Sequence, residues 1–161
     1  MWLVIGYGNP LRGDDGAGPQ LARQLADCLP AEQAKVLIVH QLTPELALEI
    51  ISPEIQSVLF IDAIRDQSEP VATTSIYPAK IESCGHHLSP HLLLQLAEQL
   101  YQRQVPAKLL TILGEDFSFC DQLSENTAAA LPIALKAALK TISFSPEKDF
   151  SRDARRSSSP P

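Results

Sequence analysis

The chain has 161 residues, 45% of them apolar and 20% charged, which is enough for one domain with its own core and no crosslinks. Its 3 cysteines stand far apart, at Cys28, Cys84 and Cys120, and this excludes a disulfide scaffold or a zinc ribbon, both of which need paired, closely spaced thiols. The formal charge is −6, and the one basic cluster (Arg152, Arg155, Arg156) is confined to the end of the chain, so nucleic acid is not an expected partner.

No apolar run reaches the roughly 18–20 residues that cross a bilayer. Residues 1–10 (MWLVIGYGNP) lack the basic start and small-residue cleavage site of a signal peptide. A soluble, reduced, cytoplasmic monomer without membrane contact is the expectation. Residues 2–6 (WLVIG), closed by Gly8, Asn9 and Pro10, have the pattern of a buried parallel strand. From Asp15 to Leu29, apolar residues recur at helical spacing (Ala17, Leu21, Leu25, Ala26, Leu29), and Pro19 fits there only in the first turn. Residues 35–40 (KVLIVH) predict a second strand. Thr43-Pro44-Glu45 predicts a helix start, with Thr43 as N-cap and Pro44 at the first helical position, leading into ELALEII.

Residues 57–62 (SVLFID) predict a third strand, and 72–77 (ATTSIY) a fourth, more polar one suited to a sheet edge. Ser89-Pro90 opens a leucine-rich helix by the same cap-then-proline device. Residues 107–113 (AKLLTIL) predict a fifth strand ended by Gly114, and Leu123 to Ile142 a long alanine-rich helix perturbed near Pro132. Strands alternating with amphipathic helices require crossover connections. The expected class is therefore α/β: a single three-layer domain over residues 1–144, with a mostly parallel five-stranded sheet and helices on both faces. Residues 145–161 (SPEKDFSRDARRSSSPP) hold charges, serines and prolines, cannot bury a core, and are expected to be disordered.

In open α/β sheets, ligands bind beyond the carboxyl ends of the strands. Three places there carry chemistry: Asp14 and Asp15 in the loop after the first strand, Asp62 at the end of the third, and Gly85-His86-His87 ahead of the helix capped at Ser89. Carboxylate oxygen combined with imidazole nitrogen suits zinc, nickel, iron or manganese better than calcium. Each group has a plainer alternative. An acidic pair at a helix start serves the free N–H groups and the positive end of the dipole. Asp62 can bind a neighbouring loop, since a carboxylate following VLFI must be solvated or paired. His86 and His87 can be surface or capping groups, and His40 and His91 suggest no function. GYGNPL departs from GxGxxG at Leu11 and no GKS or GKT follows, which argues against a nucleotide site. There is no GxSxG elbow and no Cys–His pair at a catalytic spacing.

Four stretches, GYGNPLRGDDGAGP at 6–19, HQLTPELA at 40–47, VLFIDA at 58–63 and HHLSPHLLLQLAEQLY at 86–101, resemble in order those of the [NiFe] hydrogenase maturation proteases. A fifth, ILGEDFSFCDQLSENTAAALP at 112–132, follows more loosely, with Cys120 where that family has glycine. The resemblance implies a twisted sheet with a metal-binding cleft at one edge, formed by the second acid of the pair, Asp15, by Asp62, and by the histidine preceding an x-Leu-Ser step, His86 (His87 is one residue away). It further implies an endopeptidase with no serine or cysteine nucleophile. Such an enzyme removes a C-terminal extension from the hydrogenase large-subunit precursor once nickel is in place. Asp15, Asp62 and His86 are then both the catalytic and the metal residues. They grip nickel carried by the precursor, with zinc or cadmium as surrogates, while Asp14, Asn9 and Arg12 shape the loop or meet the substrate. Two other classes compete: a non-catalytic, nickel-dependent checkpoint or chaperone for the precursor, and a receiver-type phosphoacceptor domain. A receiver needs a lysine at the end of strand five, where Leu113-Gly114-Glu115 stand.

Overall fold

In the computed structural model, residues 1–78 and 88–144 are described. The apolar runs become strands β1 (Trp2–Tyr7), β2 (Ala34–Val39), β3 (Ser57–Ile64), β4 (Val71–Ile76) and β5 (Ala107–Leu113). Between and after them lie helices α1 (Ala17–Cys28), α2 (Leu46–Ile50), α3 (Pro90–Tyr101) and α4 (Glu125–Ser143). The five-stranded sheet has the order β2-β1-β3-β5-β4. β1 pairs in parallel with β2 and β3, and β3 with β5. Only β4 runs antiparallel, along β5 at the edge. The short link over residues 65–70 cannot return the chain to the opposite end of the sheet, as a parallel β4 would require. Thr73, Thr74 and Ser75 are exposed there, as the polar sequence of this strand predicts.

Alternation along the strands builds two cores. Val4, Leu59 and Ile61 face α1 and α4, where they meet Leu21, Leu25, Leu131 and Ala134. Leu3, Ile5, Val58 and Phe60 face α2 and α3, against Ile50, Leu93 and Ala97. The central strands β1 and β3 are thus covered on both sides, which explains their nearly uninterrupted apolar sequence. This is the expected three-layer α/β arrangement.

Several local expectations change. Ser89 does cap α3, its hydroxyl accepting from the Leu92 N–H at 3.3 Å. Thr43 does not cap α2: that helix starts only at Leu46 and has 5 residues. The N–H groups of Leu46 and Ala47 instead bond the carbonyls of Thr43 and Pro44, at 3.1 and 3.0 Å. α1 begins at Ala17, preceded by a 3-10 turn over Gly13–Gly16 that holds the acidic pair. α4 continues through Pro132. Both Pro132 and Ala128, four residues back, are exposed, so water can take the carbonyl that loses its donor. The tail at 145–161 and the pair His86 and His87 lie outside the described residues. Among the described residues, no helix is long and apolar enough to cross a membrane.

Candidate functional site

The loop after β1 folds back on itself because glycine allows it. Gly8 has φ of +139°, and a Cβ there would stand 2.0 Å from the Asp15 carbonyl oxygen. This close approach lets the Asn9 N–H donate to Asp15 Oδ2 at 2.7 Å. Asn9 Oδ1 in turn accepts from the Leu11 N–H at 3.0 Å, closing an Asx turn. Asp15 therefore faces the turn that follows β1, held by backbone.

Asp14 has a different task. It is fully buried, and its carboxylate accepts from the N–H groups of Glu115, Asp116 and Ser124 at 2.7, 2.9 and 2.7 Å and from the Ser124 hydroxyl at 2.8 Å. Burial pushes its pKa up, but the hydrogen bonds from Asp116, Ser124 and Glu115 outweigh that and hold it below the ordinary value. Neither aspartate caps a helix, since no side chain caps the 3-10 turn or α1. Asp14 is instead an anchor between the β1 loop and the loop after β5. The seam continues through Gly13 N–H to the Cys120 carbonyl (2.6 Å) and Cys120 N–H to the Leu11 carbonyl (3.1 Å). Cys120 contributes backbone here. Among the described residues only Gln102 is a non-glycine with positive φ, so position 120 does not require glycine.

Asp62 enters from β3. Val58 and Phe60 face the α2/α3 core, and strand alternation puts Asp62 on the same side. Tyr7 shares that side with Leu3 and Ile5, and the register Gly6↔Ile61 brings it beside Asp62. The Tyr7 hydroxyl donates to Asp62 Oδ2 at 2.8 Å, and the Ala63 N–H donates to Oδ1 at 2.8 Å. Burial lifts the Asp62 pKa to about 6, against the pull of those two hydrogen bonds and with a further push from the negative charge of Asp15. Tyr7 is held far above the ordinary phenol range by burial, by the Asp62 charge and hydrogen bond, and by Asp15. Asp15, Asp62 and Tyr7 thus lie within electrostatic reach of one another at the carboxyl end of the sheet. Thr111, opposite Asp62 on β5, is engaged elsewhere, its hydroxyl donating to Gln67 Oε1 at 2.7 Å.

The structure therefore brings together two of the three sequence-predicted residues, Asp15 and Asp62. The third, His86, lies outside the described residues, as does His87. Among the described residues there is no group of three or more His, Cys, Asp or Glu arranged to hold a metal ion. His40 is exposed at the end of β2, and His91 Nδ1–H donates to the Tyr77 carbonyl at 2.8 Å, a structural use. The chemistry of the pair nonetheless fits a cation. The negative charge of Asp15 adds to the push on Asp62, and each Asp62 oxygen, accepting one hydrogen bond, keeps a lone pair free. A groove of about 700 Å³ lies nearby, lined by Gly8, Pro10, Arg23, Ile38 and His40 among others. Neither Asp15 nor Asp62 lines it, so it is a neighbouring surface between α1 and β2, separate from the two carboxylates. Tyr7 was not singled out by the sequence. Its signal is parity: an aromatic with a polar tip on the same strand face as Leu3 and Ile5, one strand away from Asp62.

No protein-family model and no curated protein matches the chain. Solved structures do. The [NiFe] hydrogenase maturation protease HycI from Thermococcus kodakarensis KOD1 superposes with a TM-score of 0.72 at 17% identity, covering 89% of this chain and 93% of that one. For the hydrogenase maturating endopeptidase HybD from E. coli the TM-score is 0.68 at 21% identity, over 89% and 92%. For a hydrogenase 2 maturation peptidase from a Thaumarchaeota archaeon it is 0.61 at 22%, over 88% and 97%. The fold is that of the hydrogenase maturation proteases, and at these identities the fold is what the likeness establishes.

Proposed function

We propose that this protein is an endopeptidase of [NiFe] hydrogenase maturation. It removes a C-terminal extension from the nickel-loaded large-subunit precursor and uses the nickel as its recognition element. The observation that carries this reading is that Asp62 and Asp15 are both hydrogen-bonded to the segment Tyr7 to Asn9 at the carboxyl end of β1, within a fold shared with solved maturation proteases. In this reading the protein works in the cytoplasm as a monomer, and the nickel belongs to its client.

Asp15 and Asp62, with His86 as third ligand, grip the nickel that the precursor already holds. The scissile peptide is then laid along the rim, and cutting depends on metal loading. A metal there can polarise the peptide carbonyl or acidify a water, chemistry that accounts for the missing serine and cysteine nucleophile motifs. The carboxylates must be ionised to coordinate, so affinity for nickel, or for zinc or cadmium in its place, falls as pH drops through the Asp62 value of about 6.

Intact-mass spectrometry of the precursor, incubated with the protein with and without nickel, tests the reading. Loss of a C-terminal fragment only from the nickel-loaded form is the expected result. A stable nickel-dependent complex with both masses unchanged would replace the protease with a checkpoint or chaperone.

A further inference from the structure

Asp62 lies two residues before the end of β3, and its carboxylate turns freely about its last bond unless both oxygens are held. Here both are: Oδ1 by the Ala63 N–H, and Oδ2 by the Tyr7 hydroxyl, each at 2.8 Å. The first bond is local backbone. The second comes from 55 residues away, carried by the neighbouring strand β1. The Tyr7 ring packs against the α2/α3 core, so the sheet register and that packing set where its hydroxyl lies. Asp15 accepts from the backbone two residues further on, at Asn9. One short segment, Tyr7 to Asn9, therefore supplies a donor to each carboxylate of the pair.

We propose that Tyr7 is a positioning residue for the ion site: its hydroxyl orients the Asp62 carboxylate so that the free lone pairs face the ion shared with Asp15. The inference rests on the metal-site reading above. Carboxylates that bind metals are commonly fixed by such outer hydrogen bonds, and loss of one costs about 10–100-fold in affinity. Tyr7→Phe removes the hydroxyl and keeps the ring in its packing site.

Calorimetric titration of the full chain with Cd²⁺, on wild type, Tyr7→Phe and Asp62→Ala, is the test, together with the near-ultraviolet tyrosine difference spectrum on adding the ion. We expect Tyr7→Phe to bind about tenfold more weakly, and the wild-type spectrum to shift on Cd²⁺ addition in a way that Tyr7→Phe does not reproduce. Wild-type affinity in Tyr7→Phe, with Asp62→Ala weakened, overturns the role of Tyr7 and leaves the metal site standing. Equal binding by wild type and Asp62→Ala, or no binding by wild type, overturns both. Should Tyr7→Phe fail to fold, an unshifted wild-type tyrosine spectrum at saturating Cd²⁺ is sufficient to reject the proposal.

Discussion

Asp14 and Asp15 are adjacent, yet one is buried to join two loops and the other stands at the rim. The difference lies in their donors: Asp14 meets three N–H groups and a hydroxyl from beyond β5, while Asp15 meets the Asn9 N–H. Asp14→Ala leaves those buried donors without an acceptor, and chemical denaturation should show a loss of about 3 kcal/mol or more. The two perturbed aspartates titrate in opposite senses. Asp14 has its pKa lowered in the fold, so its contribution is present above the unfolded value and is lost as pH falls through the folded one. Asp62 is raised from 3.8 to about 6. Its favourable contribution is complete below the unfolded value and disappears as pH rises through about 6. Asp62→Asn should therefore raise the melting temperature at pH 7–8, by on the order of 1–3 kcal/mol of stability, and the gain should vanish near pH 4. A gain of equal size at both pH values would show that burial of the charge is not its source.

At the scale of elements, the site depends on how closely α1 lies on the sheet. A Cβ at Gly18 would come within 2.7 Å of the carbonyl oxygens of both Tyr7 and Ile61, the residues just before Gly8 and Asp62. A Cβ at Gly6 would meet the Ala22 side chain at 2.4 Å. Gly18→Ala must push the helix off the strands, at a cost of at least about 2 kcal/mol in thermal or denaturant unfolding. It should also weaken ion binding, because it moves the backbone that carries Tyr7 and Asp62; unchanged stability would mean the helix yields freely. The elements themselves were largely legible. The apolar runs of β1, β3 and β5, and the Ser89-Pro90 start of α3, follow from local physics alone. Thr43-Pro44 misled because the same cap-then-proline pattern there opens a turn, and α2 follows it by two residues. The helix start expected at Asp15 moves to Ala17 because Gly13, with φ of +54°, turns the chain into a 3-10 turn before the helix begins.

For the whole molecule, the topology was readable and the wiring was not. Alternating strands and helices, with a polar fourth strand, were enough to predict a three-layer sheet with that strand at its edge. Asp14 bonding to residues 101–110 positions later, and Tyr7 bonding to Asp62, follow from tertiary register, and no local spacing encodes them. The positions of Asp15 and Asp62 at a common rim were legible because β1 and β3 are parallel neighbours, so the loop after β1 and the last residues of β3 reach the same end of the sheet. That shared rim is the basis of the functional reading, and it makes a quantitative demand on binding. Titrating the protein with Cd²⁺, alongside Asp15→Asn, Asp62→Asn and the double variant, measures it directly. One ion per chain in wild type is predicted, with each single variant losing most of the affinity and the double variant losing little more. Two sites, each removed by a different single variant, or wild-type binding in either one, would contradict it.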